Sequence, residues 1–198
     1  SGYPERLREL PGMPLGLFVK GRLPEDQRPS AAVIGARGCS YYGREEARYL
    51  SRELARAGVQ VVSGLALGID GAGHGGALEA GGDTYGILGC GIDICYPREH
   101  TELAERIGLQ GGLITEFVPK TPPYPANFPL RNRIISGLSD LVIVVEARKR
   151  SGSLITAGLA LEQGRDVFAV PGRVTDPLSA GCNELIQSGA GLLMTPED

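Results

Sequence analysis

Arg131, Asn132 and Arg133 stand together shortly before LVIVVEA (141–147), one of the most apolar stretches of the chain. Guanidinium groups beside a buried strand need partners, because an unpaired charge is costly to desolvate. The partner is either a carboxylate of the same protein or an anion from outside, and arginine's planar fork fits both. Glu116 and Glu146, each at the end of an apolar run, are the internal candidates. On a helix Arg131 and Arg133 project about 200° apart, so one can brace the strand ends while the other faces a ligand. Arg37 lies in a turn ahead of Ser40, a candidate N-cap; it either forks onto a phosphate or makes a surface salt bridge. Asp70 and His74 are four apart and share a helical face. They read as an acid–base pair or as a helix cap with a satisfied histidine. No serine or cysteine hydrolase motif accompanies them, so the structural reading is preferred.

The elements that position these residues alternate. Six apolar runs read as strands: 31–36, 59–64, 84–89, 112–117, 141–147 and 166–172. Most are apolar on successive positions, as in strands covered on both faces. Helices are expected near 43–57, 71–80, 99–108, 130–138 and 154–163, with a short last one in 182–191. The clearest is GREEARYLSRELARAG, where Ala47, Leu50, Leu54 and Ala57 recur at helical spacing and Gly58 ends the run. Alternating strands and helices predict an α/β fold with a doubly wound, mostly parallel sheet and helices on both faces. Residues 1–28, broken by prolines, are expected to form a lead-in packed on the sheet's edge, with 29–198 as the core domain.

In such sheets ligands bind beyond the carboxyl ends of the strands. The segments there are GARGCS (35–40), SGLALGID (63–70), GCGIDICYPRE (89–99), EFVPKT (116–121), EARKRSGS (146–153) and PGRV (171–174). Glycine and serine dominate them, and most carry a cation. Glycine admits close backbone approach, and helix N-termini add partial positive charge. This edge suits an anion. GxGxxG fails after GAR and the P-loop ending is missing, so neither standard nucleotide fingerprint is present.

The totals narrow the classes. With 198 residues and 42% hydrophobic content, one well-buried domain is expected. The formal charge of −3 excludes a protein coated in positive charge but not a local basic groove. Cys39, Cys90, Cys95 and Cys182 have no CxxC or CxxH spacing, and His74 and His100 are the only histidines. Reduced cytosolic thiols and no metal or cofactor are expected. No run approaches the roughly 20 apolar residues of a membrane span, and no signal peptide is apparent. Ser1 and Gly2 read as a cloning scar, which suggests a piece of a longer protein.

The blocks VIGARGCSYYG, VVSGLALGIDGAGHGGAL, ILGCGIDICYPREHTEL, FPLRNRIISGLSDLVIVVEA, SGSLITAGLALEQGRDVFAVPG and SAGCNELIQSGA stand in an order that resembles the DprA/Smf family, over about residues 3–195. The resemblance implies an extended Rossmann-like domain in a cytoplasmic, non-enzymatic recombination mediator. Such a protein binds and protects single-stranded DNA taken up in natural transformation and loads RecA onto it. The family's DNA-contacting arginine falls on Arg37, and its basic residue after the YP pair falls on Arg98. FPxRNR falls on Phe128, Pro129, Arg131, Asn132 and Arg133, with Leu130 at a position where relatives often carry a charge. His100 replaces a common asparagine. The candidate phosphate-binding set is Gly35, Arg37, Ser40, Ser63, Gly64, Arg98, Arg131, Arg133 and Ser151. The resemblance also implies a homodimer through CNELIQSGAGLL, with Asn183, Ile186 and Leu192 at the interface. The competing reading is a nucleotide-binding enzyme or sensor of the phosphoribohydrolase-like Rossmann group, whose PGGxGT signature is replaced here by PGRVTD.

Overall fold

The computed structural model describes residues 2–198 apart from Glu9 and Met13. One eight-stranded sheet runs through it in the order β1-β5-β4-β3-β2-β6-β7-β8. The strands are β1 (Phe18–Gly21), β2 (Ser30–Ile34), β3 (Gln60–Ser63), β4 (Thr84–Ile87), β5 (Gly112–Thr115), β6 (Leu141–Val144), β7 (Asp166–Ala169) and β8 (Gly191–Leu192). All pairings are parallel except β1 with β5, where Phe18 faces Thr115. The six expected strands are present but shorter. β1 and β8 were not expected: one lies in the proline-broken lead-in, the other starts on the final residue of the run read as the last helix.

Alternation explains how β-branched strands build two layers. In β2, Ala32 and Ile34 join one apolar cluster and Val33 the other; in β6 and the residue after it, Val142 and Val144 oppose Ile143 and Val145. α2 (Tyr41–Arg56) and α3 (Ile69–Glu79) cover one face, burying Ala47, Leu50, Ile69 and Ala77. α4 (Thr101–Gln110) closes a third cluster around Leu65, Leu78 and Leu113. α5 (Asn127–Gly137), α6 (Gly152–Glu162) and α7 (Ala180–Gln187) contribute Ile134, Ala157 and Cys182 to the first cluster. α5 starts three residues before the expected 130, so Phe128 belongs to its first turn.

The lead-in is fastened rather than draped. Its short helix α1 (Glu5–Arg8) buries Leu7 completely. Arg6 donates to Arg28 O (2.8 Å), Asp26 O (3.0 Å) and Ser30 Oγ and pairs with Asp140 (3.1 Å). The four cysteines are unpaired: Cys90 and Cys182 are buried, Cys39 and Cys95 partly so. Among the described residues no helix is long and apolar enough to cross a membrane.

From β2 the chain winds outward through β3, β4 and β5, then returns to place β6 on the other side of β2. The order therefore reverses between β2 and β6. Loops leaving these strands in opposite directions open a crevice there.

Candidate functional site

A cleft of about 620 Å³ lies at this reversal. Its walls come from the β2 turn (Gly35 to Gly38), Ala66, Asp70, Tyr96, Pro123 and Pro125, the first turns of α5, and Arg148 with Ser151 to Ser153. Among the described residues three arginines line it, Arg37, Arg131 and Arg148, against one carboxylate, Asp70. A protein of net negative charge thus gathers positive charge at one concavity, where low-dielectric walls strengthen the field.

Phe128 organises the interior. The Arg37 guanidinium carbon lies 5.3 Å from its ring centroid and that of Arg131 5.7 Å. Tyr96 adds a tilted aromatic contact at 5.6 Å between centroids. Cation–π attraction holds both guanidiniums at the ring while leaving the N–H edge of the exposed Arg37 available. Arg37 is exposed and has no ion pair among the described residues.

Arg131 forms the floor. It is 4% exposed and donates to the carbonyls of Gly64 (2.8 Å) and Ile87, at the ends of β3 and β4. Asp70 Oδ2 accepts the Gly64 N–H at 3.0 Å and neutralises part of the arginine's charge. Burial pushes the Arg131 guanidinium down to about 10, opposed by Asp70 and assisted by Arg37; it stays charged at neutral pH. Burial also holds the Asp70 carboxyl above its ordinary value, against the pull of Arg131. Arg131 Nε is buried with no partner among the described residues. Gly64 is required beside this pair: a Cβ there would sit 2.7 Å from Asp70 Oδ2 and 2.9 Å from the Arg131 guanidinium.

Several expected site residues have other work. Arg133 is clamped to Glu116 through two bonds (2.6 and 2.7 Å) and donates to Gly12 O (2.8 Å); it braces the lead-in and lies outside the cleft lining. Ser40 caps α2, accepting from Gly43 N at 3.0 Å, and gives its own hydroxyl and amide protons to Glu146 (2.5 and 2.8 Å). Glu146 therefore pairs with Ser40, not with Arg131 or Arg133. Ser63 is fully buried and donates to Val33 O at 2.6 Å. Gly35 lines the cleft because its turn presses on Ile69 and the Glu146 carbonyl, where a Cβ would come within 2.7 Å and 2.8 Å. Ser151 lines the cleft and shares a proton with Ser153 (2.5 Å).

Arg98 is exposed in a 3-10 turn (Arg98–His100) and does not line the main cleft. The turn is tied in by His100, whose Nδ1–H donates to Leu65 O at 2.9 Å. Leu65 itself has φ +57°, a strained conformation for a leucine. Asp70 and His74 do not work together. The Thr84 hydroxyl donates to Val61 O (2.9 Å), so His74 Nδ1–H must donate to Thr84 Oγ1 (2.7 Å). Burial pushes the His74 imidazole down to about 3, which keeps it neutral. At the far edge, the Asn183 amide closes on the backbone of Gly172 (3.0 and 3.2 Å), leaving it an internal role. Ile186 is half-buried and Leu192 is 43% exposed on the edge strand.

The sequence reading missed Tyr96, Arg148 and the central position of Phe128. Arg148 had a signal, a cation directly after a strand. Tyr96 had none, since only folding brings it to Phe128.

The family model described as DNA recombination-mediator protein A matches residues 1–198. The chain is 48% identical over 197 residues to Protein Smf of Escherichia coli K12, covering 99% of this chain and 53% of that protein. It is 45% identical over 196 residues to DNA processing protein DprA of Streptococcus pneumoniae R6, covering 99% and 69%. It thus spans about half the length of the former. The X-ray structure of the Streptococcus pneumoniae DprA aligns with a TM-score of 0.92 at 43% identity, over 98% of this chain and 69% of that one. DprA of Helicobacter pylori, whose structure is described for its unique single-stranded DNA binding mode, aligns at 0.91 and 30% identity, over 100% and 90%. A molybdenum cofactor binding protein from Rippkaea orientalis, at 0.62 and 20% identity over 87% of this chain and 93% of that one, shares the fold alone. With the family model matched from end to end and the fold and core strands in agreement, this chain belongs to the DNA recombination-mediator protein A family.

Proposed function

We propose that the cleft at the β2/β6 reversal binds single-stranded DNA, and that the chain is the DNA-binding core of a recombination mediator that protects incoming strands and loads RecA onto them. The observation that carries this reading is the group of Arg37, Arg131 and Phe128. It offers two cations and an aromatic ring in one concavity, the pairing that suits phosphates joined to unpaired bases. Duplex DNA keeps its bases stacked inside and cannot present them to Phe128. Phosphate contacts carry no base information, so low sequence specificity is expected.

The same site supports a binding role without catalysis. Its one carboxylate is held by Gly64 N–H and Arg131, and the histidine on the same helix is sealed beneath the surface. Ser151 and Ser153 bond each other, and no histidine lines the cleft to serve as their base. In the complete protein, assembly as a cytoplasmic homodimer through the β8 edge, with Ile186 and Leu192 as apolar contacts, would join two clefts and raise avidity.

Fluorescence anisotropy with labelled oligo-dT tests the reading, comparing the chain with Arg37→Glu/Arg98→Glu. Tight binding to oligo-dT, weaker binding to duplex and a smaller salt slope in the variant are expected. Unchanged binding by the variant would refute the placement of the site. Full displacement by a single mononucleotide would favour a nucleotide-binding enzyme or sensor instead.

A further inference from the structure

Strand order turns scattered sequence positions into a line. Along the carboxyl edge of the sheet, the loop after β4 carries Arg98, the turn after β2 carries Arg37, the loop after β6 carries Arg148, Lys149 and Arg150, and the loop after β7 carries Arg173. In the order β4-β3-β2-β6-β7 these loops follow one another at strand spacing, so the row extends for about 19 Å. Arg37, Arg98, Arg148, Lys149, Arg150 and Arg173 are all exposed, and none has an ion pair among the described residues. Arg22, Arg28, Arg48, Arg52, Arg56 and Arg133 are by contrast matched to carboxylates, and among the described residues the exposed arginines without an ion pair away from this edge, Arg44 and Arg106, stand singly on α2 and α4. Arg148, Lys149 and Arg150 thus form a run of three exposed cations with no ion pair among the described residues, open to an external anion in a protein of charge −3.

The run also touches the cleft. Arg148 lines it directly, and Ser151, which follows the run, begins α6 without a side-chain cap bond. The other way out is less suited to a polyanion. Past the β2 turn, the outer face of α2 presents Glu45 and Glu46, and its Arg48 is already spent on Glu79.

We infer that Arg148, Lys149 and Arg150, continued by Arg173, form a second phosphate-binding segment, on which single-stranded DNA leaving the cleft runs crosswise over the strand ends toward the β8 edge. This deepens the proposed function and rests on it. The segment adds affinity and length of footprint without base selectivity, because it offers cations and no aromatic ring. It would also point the strand toward the edge at which a second copy is proposed to join.

The test compares the chain with Lys149→Gln/Arg150→Gln/Arg173→Gln and with Arg37→Glu, using labelled dT4 and dT20 across a salt series. Each phosphate contact on a single strand contributes about 0.7 to the slope of log K against log salt. The triple variant should therefore lose about 2 from the slope for dT20 and bind dT4 almost as the unmodified chain does. Lys149→Arg/Arg150→Lys should keep the full slope, and adding Arg148→Gln to the triple variant should remove about 0.7 more and weaken dT4 binding as well, because Arg148 lines the cleft. A triple variant with the original dT20 slope, alongside an Arg37→Glu variant that loses binding, overturns this inference and leaves the proposed function standing. Equal loss for dT4 and dT20 in the triple variant also overturns it, since the run would then belong to the cleft itself. Failure of the unmodified chain to bind either oligonucleotide overturns the proposed function, and this inference with it.

Discussion

Replacing Arg131 by methionine keeps most of the side chain's length and removes its charge. Two strand-end carbonyls, Gly64 O and Ile87 O, then lose their donor, and Asp70 stays buried without its cation. Leaving a buried carboxylate without the cation that offsets its charge costs about 3–5 kcal/mol, a large share of the roughly 5–15 kcal/mol that holds a domain together. For a chain of this size each kcal/mol shifts Tm by about 2–4 °C, so a drop of about 6–20 °C is expected. Asp70→Asn/Arg131→Met leaves no buried charge and should recover about 2 kcal/mol of the loss as coupling between the sites. The pH dependence supplies a second check. The native Asp70 carboxyl already binds its proton more tightly than the ordinary carboxylate at 3.8, and loss of Arg131 tightens it further. The native state then takes up this proton before the unfolded state does, so the deficit of Arg131→Met should shrink as pH falls toward that value. Urea unfolding followed by far-UV circular dichroism at pH 7.5 and pH 5 measures both effects. A single variant within about 1 kcal/mol of the parent, or strictly additive single substitutions, would refute the electrostatic coupling of these two buried groups.

Arg133→Ala removes the clamp on Glu116 and should lower stability by about 1.5–3 kcal/mol while leaving oligo-dT affinity of the folded protein unchanged; Arg37→Ala should do the reverse. His74 has its imidazole pushed down to about 3, so the unfolded chain binds its proton first as pH falls through 6.5. Stability is therefore whole above about pH 6.5 and lost progressively toward about pH 3, with a slope of up to about 1.4 kcal/mol per pH unit from this residue. Thermal unfolding from pH 7.5 to 4 should show that slope, and His74→Gln should flatten it. Ser40→Ala removes the α2 cap and one of the two Ser40 donors to Glu146, costing about 0.5–2 kcal/mol for the cap alone; chemical denaturation that shows no loss would contradict the capping role.

The sheet was legible because its strands are apolar on successive positions and its helices on one stripe. Those periods follow from backbone geometry and need no knowledge of neighbours. Placing the ligand edge beyond the strand ends also followed from the alternation alone, and the cation at Arg37 was readable in its turn. β1 and β8 were not, because FVKG and GL carry too few residues for a period and become strands only by pairing with β5 and β7. Sequence showed that Arg131 and Arg133 needed partners and would point apart. Only folding decided that Arg133 takes Glu116 while Arg131 turns under Phe128 to Asp70, since those partners stand 17 and 61 residues away. Ser40 read as an N-cap and stood in the phosphate-binding set as well; it is the cap. Its proton went to Glu146, which β6 delivers beside β2 across more than a hundred residues. Local chemistry thus specified which groups wanted bonds; the order of strands in the sheet chose the partners, because a buried polar group bonds with whatever the topology places within reach.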